Sequence, residues 1–396
     1  MSLPLFALFL AAFTFGTAEF VIAGVLPDVA LGIGVSIPVA GYLVSGYAIG
    51  IAIGGPALAV LTKKMNRKLL VLLLGIGFTL GQVLCAIAPN FELLLLARIF
   101  VSVLHGAYFG IAFVIATSIA PADRRGFAMA LILSGLTVSN VLGVPGGTAI
   151  GTAFGWRATF WAVGILGLLA SLVIAAVLPA NAGASASQGS FRREFAALGR
   201  QQVYLGFSIA ILVMIGQYSL FTYIAPLLLT VTGLGAEAIP AILLLYGVGA
   251  TIGVFIGGRL ADWRLMPSLI TILSLQVALF VSLFFASPHA LPMFVAVTLW
   301  GGATFAFGSP LQSRMLMWAA DAPNLTSALI PAGFNIGIAV GAILGAGLLD
   351  AGMGYQYLPL IGAVSLTLAT IIAIWSGLWE QQANSGPPMP VGVPAQ

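Results

Sequence analysis

The sequence predicts an all-α integral membrane protein, with twelve transmembrane helices arranged as two six-helix pseudo-repeats. Hydrophobic residues make up 61% of the 396 against 6% charged, and the mean hydropathy is +1.14. The apolar runs are each about 20 residues or more, the length that crosses the hydrocarbon layer as a helix. Glycine patterns of the first half also return in the second. A soluble chain of this size cannot hide so much apolar surface from water. Lipid offers an open backbone no hydrogen-bond partner, and the runs are too long and too evenly apolar for the alternating strands of a barrel.

Runs bounded by charge, proline or Asn/Asp fall at 4–26, 39–61, 69–88, 93–119, 127–150 and 158–178 in the first half. The second half gives 203–231, 238–260, 268–286, 291–315, 327–349 and 358–378. The first run is too long for a signal-peptide core, has no basic leading region and passes into Glu19 instead of a cleavage site, so it is expected to stay as a span. Between the sixth and seventh runs, "ANAGASASQGSFRREFAALGRQQ" (180–202) is the longest polar and small-residue interval before the tail. It reads as a cytoplasmic linker between an N-terminal bundle, 1–179, and a C-terminal bundle, 203–380, with 381–396 a disordered tail.

Gly46, Gly50, Gly54 and Gly55 recur with the same spacing as Gly249, Gly253, Gly257 and Gly258. "ALI" followed by Gly135, Gly143 and Gly147 returns as "ALI" followed by Gly333, Gly341 and Gly345. Such stripes let helices approach closely. Their duplication leads to the expectation that the two halves rock against each other on these faces.

With the amino terminus in the cytoplasm, Lys63, Lys64, Arg67, Lys68, Arg124, Arg125, Arg192, Arg193, Arg200, Arg259, Arg264 and Arg314 lie at cytoplasmic ends or loops, and Arg157 lies outside. That asymmetry predicts that both termini are cytoplasmic, and the chain is expected to be a multi-pass protein of the bacterial inner membrane. The sequon at 324–326 is then expected to be unused. Basic residues spread between apolar runs serve topology, not a phosphate-binding patch, so no nucleic-acid partner is expected. One cysteine, Cys85, and two histidines leave no disulfide framework, metal site or cofactor site to predict.

Glu19 and Arg98 are the charges deep inside predicted spans, each placed about 7–10 Å below the outer face by the helical rise, so the two could meet. Intramembrane charges face the protein interior or water. Burial disfavours a charged carboxyl and a nearby arginine favours it, so a change in that balance between conformations would switch proton affinity. His105 lies seven positions beyond Arg98, on the same helix face. Glu19, Arg98 and His105 are therefore the candidate proton-coupling set. Plainer roles stand beside this one: a neutral buried acid, an arginine pinning carbonyls and a packed histidine. Candidate cavity residues are Tyr108 and Phe109 in the fourth span, Gln217, Tyr218, Phe221, Thr222 and Tyr223 in the seventh, Trp300, Phe305, Phe307 and Gln312 in the tenth, and Asn335 in the eleventh. Aromatic rings with a few amides suit a moderately apolar, neutral or weakly cationic organic solute, although rings at helical spacing also serve simple packing.

"TAEFVIAGVLPDVA", "LLLARIFVSVLHGAYFG", "SNVLGVPGG", "GWRATFW", "LFTYIAPLLL" and "FNIGIAVGAILG", taken together over nearly the whole chain, resemble the major facilitator superfamily. Within it they are similar to the twelve-span drug:proton antiporter branch, of the sugar-efflux and chloramphenicol-resistance type. The resemblance implies monomeric, proton-coupled export by rocker-switch alternating access. It marks Gly143, Pro145, Gly146 and Gly147 as the antiporter motif, and Arg67 and Asp262 as gating-loop residues. Two positions depart from the family's pattern. "GPALAVLTKKMNRK" has no carboxylate between Gly55 and Lys68, whereas "GGRLAD" keeps Asp262, and Ser102 stands where glycine is usual.

The expected function is a proton-driven exporter of a drug, sugar or nucleoside. An uncoupled facilitator or importer on the same fold is the first alternative, and a non-transporting membrane sensor the second. An enzyme is disfavoured, because no dense set of nucleophile, base and metal ligands lies within the spans.

Overall fold

The computed structural model describes residues 2–183, 200–319 and 323–385. Arg192, Arg193, most of the expected linker and the tail from residue 386 lie outside the described residues, as do the side chains at the 324–326 sequon. Among the described residues, twelve helices are long and apolar enough to cross a membrane. They are α1 (Leu3–Phe20, continued past Val21 by Ile22–Ile33), α2 (Ile37–Leu61), α3 (Arg67–Ile87), α4 (Phe91–Ile119), α5 (Arg125–Phe154) and α6 (Trp156–Val177). The second set is α7 (Gln201–Thr230), α8 (Ile239–Trp263), α9 (Leu265–Ala286), α10 (Ala290–Trp318), α11 (Pro323–Asp350) and α12 (Leu358–Ser385).

Local chemistry sets the boundaries. Ser36, Asn66 and Asn90 accept hydrogen bonds from the backbone N–H of Val39, Leu69 and Leu93, at 3.3, 3.1 and 3.0 Å, and so start α2, α3 and α4. Gly34 and Gly155, at φ 76° and 88°, make the turns into α2 and α6 in a backbone region that side chains disfavour. The first helical segment runs past its expected end at residue 26, because Val29 and Ala30 are still buried in the next turns.

Two helices contain a wide π turn, Gly50–Gly54 in α2 and Ser139–Gly143 in α5. A proline follows each by two residues, Pro56 and Pro145. Proline lacks the N–H and crowds the carbonyl four residues back, so the ladder just before it widens.

The glycine echoes overturn one expectation. A Cβ on Gly55 would lie 2.6 Å from the Gly106 Cα, and Gly50 and Gly54 face Ser102 and Val103, so this stripe packs α2 on α4. Gly249, Gly253 and Gly257 abut the carbonyls of Thr298, Gly302 and Ala306, which packs α8 on α10 in the same way. Gly135, Gly143 and Gly147 seat α5 on α1, while Gly333, Gly341 and Gly345 seat α11 on α7. Both echoes therefore weld helices within a half, the glycines lying against backbone at some positions and against side chains at others. They do not form the faces between halves.

Contact between the halves is made elsewhere. The Ile37–Ile49 part of α2 lies along α11, Ile22–Ile33 meets Ile224–Thr230, and the middle and far part of α5 meets α8. At Gly247 of α8 the backbone of Asn140 and Val141 approaches so closely that a Cβ would collide. These contacts concentrate at the end of the bundle away from the chain termini. The Gly55–Leu61 part of α2, at the end carrying the termini, packs on α4 instead, and Leu61 is 81% exposed. The halves are thus closed together at one end and parted at the other.

Candidate functional site

Glu19 sits two residues before the break at Val21, where α1 changes from one helical piece to the next. Its side chain is 12% exposed. It borders a narrow space between the halves together with Phe20, Tyr47, Tyr218, Phe221 and Thr222. The space has room for the centre of about one water molecule, about 10 Å³, close to the least that holds a water. A carboxylate from the first half thus faces aromatic rings of the second across a nearly closed gap.

Behind Glu19 lies His105, 2% exposed, whose Nδ1 is 3.9 Å from Glu19 Oε2 and 3.1 Å from Tyr47 Oη. Phe15 and Phe109 flank the imidazole at ring-centroid distances of 5.2 and 5.4 Å. Arg98 lies with its guanidinium carbon 4.5 Å from the centre of the Tyr47 ring. It donates from Nε to Leu43 O at 3.2 Å and from Nη1 to Ala18 O at 3.1 Å, while Nη2 has no hydrogen-bond partner. Arg98 and Glu19 are close in depth, yet no ion pair within 4 Å joins them. The arginine bridges two helix backbones beside the carboxylate, its planar fork reaching one carbonyl of α1 and one of α2.

The second half builds a buried polar cluster on Gln217. Its Oε1 accepts from the Trp300 indole N–H and from Thr304 Oγ1 at 2.9 Å, and its Nε2 donates to Gln276 Oε1 at 3.1 Å. Gln276 donates onward to Ala303 O at 2.6 Å. Phe221, Tyr246 and Phe280 pack around Trp300 with centroids 5.2–5.9 Å away. Gln217 and Trp300 therefore form the wall behind Tyr218 and Phe221, which border the gap themselves.

The remaining expected site residues are spread out. Tyr108 donates to Leu8 O at 2.5 Å and Phe109 packs against His105, so both belong to the wall of the first half. Tyr223 donates to Ala342 O at 2.9 Å and packs against Gly41 and Gly345, in the contact between α7, α11 and α2. Gln312 is half-buried beside Gly308. Asn335 donates to Pro331 O at 3.0 Å and leaves its own Oδ1 without a partner. In the expected antiporter motif, Gly143 and Gly147 abut Thr17 and Val21 of α1 and Pro145 is buried, whereas Gly146 faces open space. Arg67 donates to Lys63 O at 3.1 Å, and Asp262 is exposed at the end of α8.

Two features escaped the sequence reading. Tyr47 stands in a glycine stripe that looks like plain packing, yet it touches both His105 and Arg98. Arg314 reads as a topology charge but is 1% exposed, donating to Glu380 Oε2 at 2.6 Å and to Gln202 Oε1 and Ser376 Oγ at 2.7 Å. It ties α10 to α7 and α12 at the end carrying the termini.

A model described as Major Facilitator Superfamily matches residues 8–324. The inner membrane transport protein YdhP of Escherichia coli K12 is 37% identical over 373 residues, covering 94% of this chain and 95% of that protein. A chloramphenicol resistance protein of Streptomyces lividans is 34% identical over 348 residues, covering 87% and 89%. Among solved structures, an inward-facing, unoccupied bacterial homolog of the human lysosomal transporter Spinster superposes with a TM-score of 0.81 at 20% identity, covering 98% of both chains. The D-xylose-proton symporter superposes with a TM-score of 0.77 at 15% identity, covering 93% and 96%.

Proposed function

The chain belongs to the Major Facilitator Superfamily and is a multi-pass membrane transporter, not an enzyme, and from that premise we propose that it exports a small organic solute in exchange for protons. The observation that supports coupling is the position of Glu19, which borders the gap between the halves and has His105 3.9 Å behind it. A carboxyl placed there is reached by cargo from one side and by a proton relay from the other. Rocking the halves opens or closes the gap beside Glu19 and so changes its solvation, which alters its proton affinity.

Tyr218, Phe221 and Thr222 give the opposing wall the character of a site for a largely apolar, neutral or weakly cationic molecule. The relative named for chloramphenicol resistance supports a drug-like cargo and the direction of export. One charge crossing 100 mV supplies about 2.3 kcal/mol, enough for a concentration ratio of roughly fifty per proton. The parted end then faces the cytoplasm, with both termini, in a bacterial inner membrane. One chain, formed of bundles 1–179 and 203–380, is the working unit.

A thermal-stability screen of the purified protein across sugars, nucleosides and antibiotics at two pH values identifies the cargo. Reconstituted vesicles then test coupling. An imposed pH gradient is expected to drive accumulation of labelled cargo in the native protein, while Glu19→Gln retains counterflow and loses the pH-driven component. Unaltered pH-driven accumulation by Glu19→Gln sinks the coupling assignment, and binding without counterflow in the native protein sinks transport.

A further inference from the structure

His105 Nδ1 is one nitrogen with two prospective partners, Tyr47 Oη at 3.1 Å and Glu19 Oε2 at 3.9 Å. We propose that Tyr47 is a positioning residue of the proton site, its hydroxyl and the Glu19 carboxyl being alternative partners of that nitrogen. The inference rests on the coupling role of Glu19.

A neutral imidazole carries one N–H and one bare nitrogen, and each ring nitrogen serves one of those roles at a time. When Glu19 is ionised it only accepts, so the matching tautomer carries its proton on Nδ1 and donates to the carboxylate. Closing 3.9 Å to hydrogen-bonding distance takes a shift of about 1 Å. Uptake then follows one balanced route. A proton binds Nε2, the Nδ1–H bond breaks as an O–H bond forms on Glu19, and the ring is neutral before and after. Nδ1 is left bare. The Tyr47 hydroxyl donates to it, and this is the short contact of the present structure.

The surroundings make the hydroxyl the adjustable part. The Arg98 guanidinium stacks on the Tyr47 ring at 4.5 Å and is itself held by Leu43 O and Ala18 O. From α1 the groups facing the imidazole are Glu19 and Phe15, and from α2 Tyr47. On α4 itself Phe109 flanks the ring. Cys85 of α3 is the further titratable group near Arg98 and Tyr47, and Tyr218 of α7 faces Glu19 across the gap. Because Tyr47 precedes the Gly50–Gly54 turn by three residues, the exchange of partners is felt in the helix that holds the two halves together at the closed end.

The chain has two histidines, His105 and the exposed His289, so ¹⁵N-histidine labelling of the full protein resolves them by nuclear magnetic resonance. His105 is expected as the Nε2–H tautomer in acid and the Nδ1–H tautomer in alkali. Tyr47→Phe removes only the competing hydroxyl and so favours ionised Glu19. It is expected to hold Nδ1–H to lower pH and to move the midpoint of pH-driven transport down by about half to one unit. A single tautomer across the pH range in the native protein overturns the proposal without any variant, and so does a Tyr47→Phe midpoint equal to the native one. Should Glu19→Gln keep full pH-driven transport, the coupling reading falls and this inference falls with it. A static tautomer alongside a Glu19-dependent gradient removes Tyr47's role alone.

Discussion

Arg314 and Glu380 form a 2.6 Å ion pair in which the arginine side chain is 2% exposed and the glutamate 22%. Breaking such a pair leaves a buried charge without its counterion, which typically costs about 3–5 kcal/mol. Glu380→Gln is therefore predicted to lower the thermal midpoint of the purified protein markedly. The double variant Arg314→Met with Glu380→Gln, which leaves no stranded charge, is predicted to recover part of that loss. Equal midpoints for the native protein and Glu380→Gln would show that the pair does not hold the base of α10.

Gly257 and Gly258 offer a test of helix welding one residue apart. A Cβ on Gly257 runs into the Ala306 carbonyl, whereas one on Gly258 meets nothing within 4 Å. Gly257→Ala is predicted to reduce folded yield. Gly258→Ala is predicted to stabilise by about 0.4–1 kcal/mol, because alanine restricts the unfolded chain at a site that accepts it. Detergent thermal melts compare the two, and identical behaviour would remove the backbone contact between α8 and α10 as an explanation of the stripe.

Removing the amide of Gln217 strands a partner on each side of it. Gln217→Leu leaves the Trp300 indole N–H and Gln276 Oε1 without their partner, while Thr304 keeps its bond to Trp300 O, and each buried polar group left unpaired costs about 1–3 kcal/mol. The expected result is a lower melting temperature together with weaker cargo binding, since Tyr218 and Phe221 stand on the same turn. Gln217→Glu keeps the acceptor for Trp300 and is predicted to bind better than the leucine variant in the same titration. A leucine variant with native stability and affinity would make the cluster incidental.

Arg98→Lys separates charge from geometry. Lysine retains the positive charge but lacks the fork that serves Leu43 O and Ala18 O together. The variant is predicted to lose stability by about 1–3 kcal/mol and to retain some pH-driven transport, because a cation still stands near Glu19. Complete loss of the gradient response in a well-folded Arg98→Lys protein would show that coupling needs the fork geometry of the guanidinium and not only its charge.

The spans were legible because hydropathy over twenty residues is a strong signal that lipid enforces. Glu19 was legible for the same reason, as a lone carboxylate in an apolar run. What the sequence hid was partnership. Depth arithmetic brought Arg98 level with Glu19, but only the fold reveals that backbone carbonyls of α1 and α2 take its donors. The glycine stripes identified close packing correctly and suggested the wrong partners, since a four-residue repeat does not say which helix it touches. Arg314 was misread because a basic residue near a span end satisfies the topology rule whether it points to water or into a cluster. Tyr47 gave no signal beyond an ordinary aromatic.

The π turns Gly50–Gly54 and Ser139–Gly143 each insert a residue into the winding of their helix, and one residue is worth about 100° of rotation. The wide turn takes up that extra residue locally, whereas one residue removed from the regular stretches on either side would swing every side chain beyond it about a quarter of the way around. Such a removal would turn the basic loop after α2, or the start of α5, toward different neighbours. In α2 and α5, residue number is under the same constraint as residue identity everywhere except at these turns, and a one-codon deletion within either turn should do less harm than the same deletion one helical turn away.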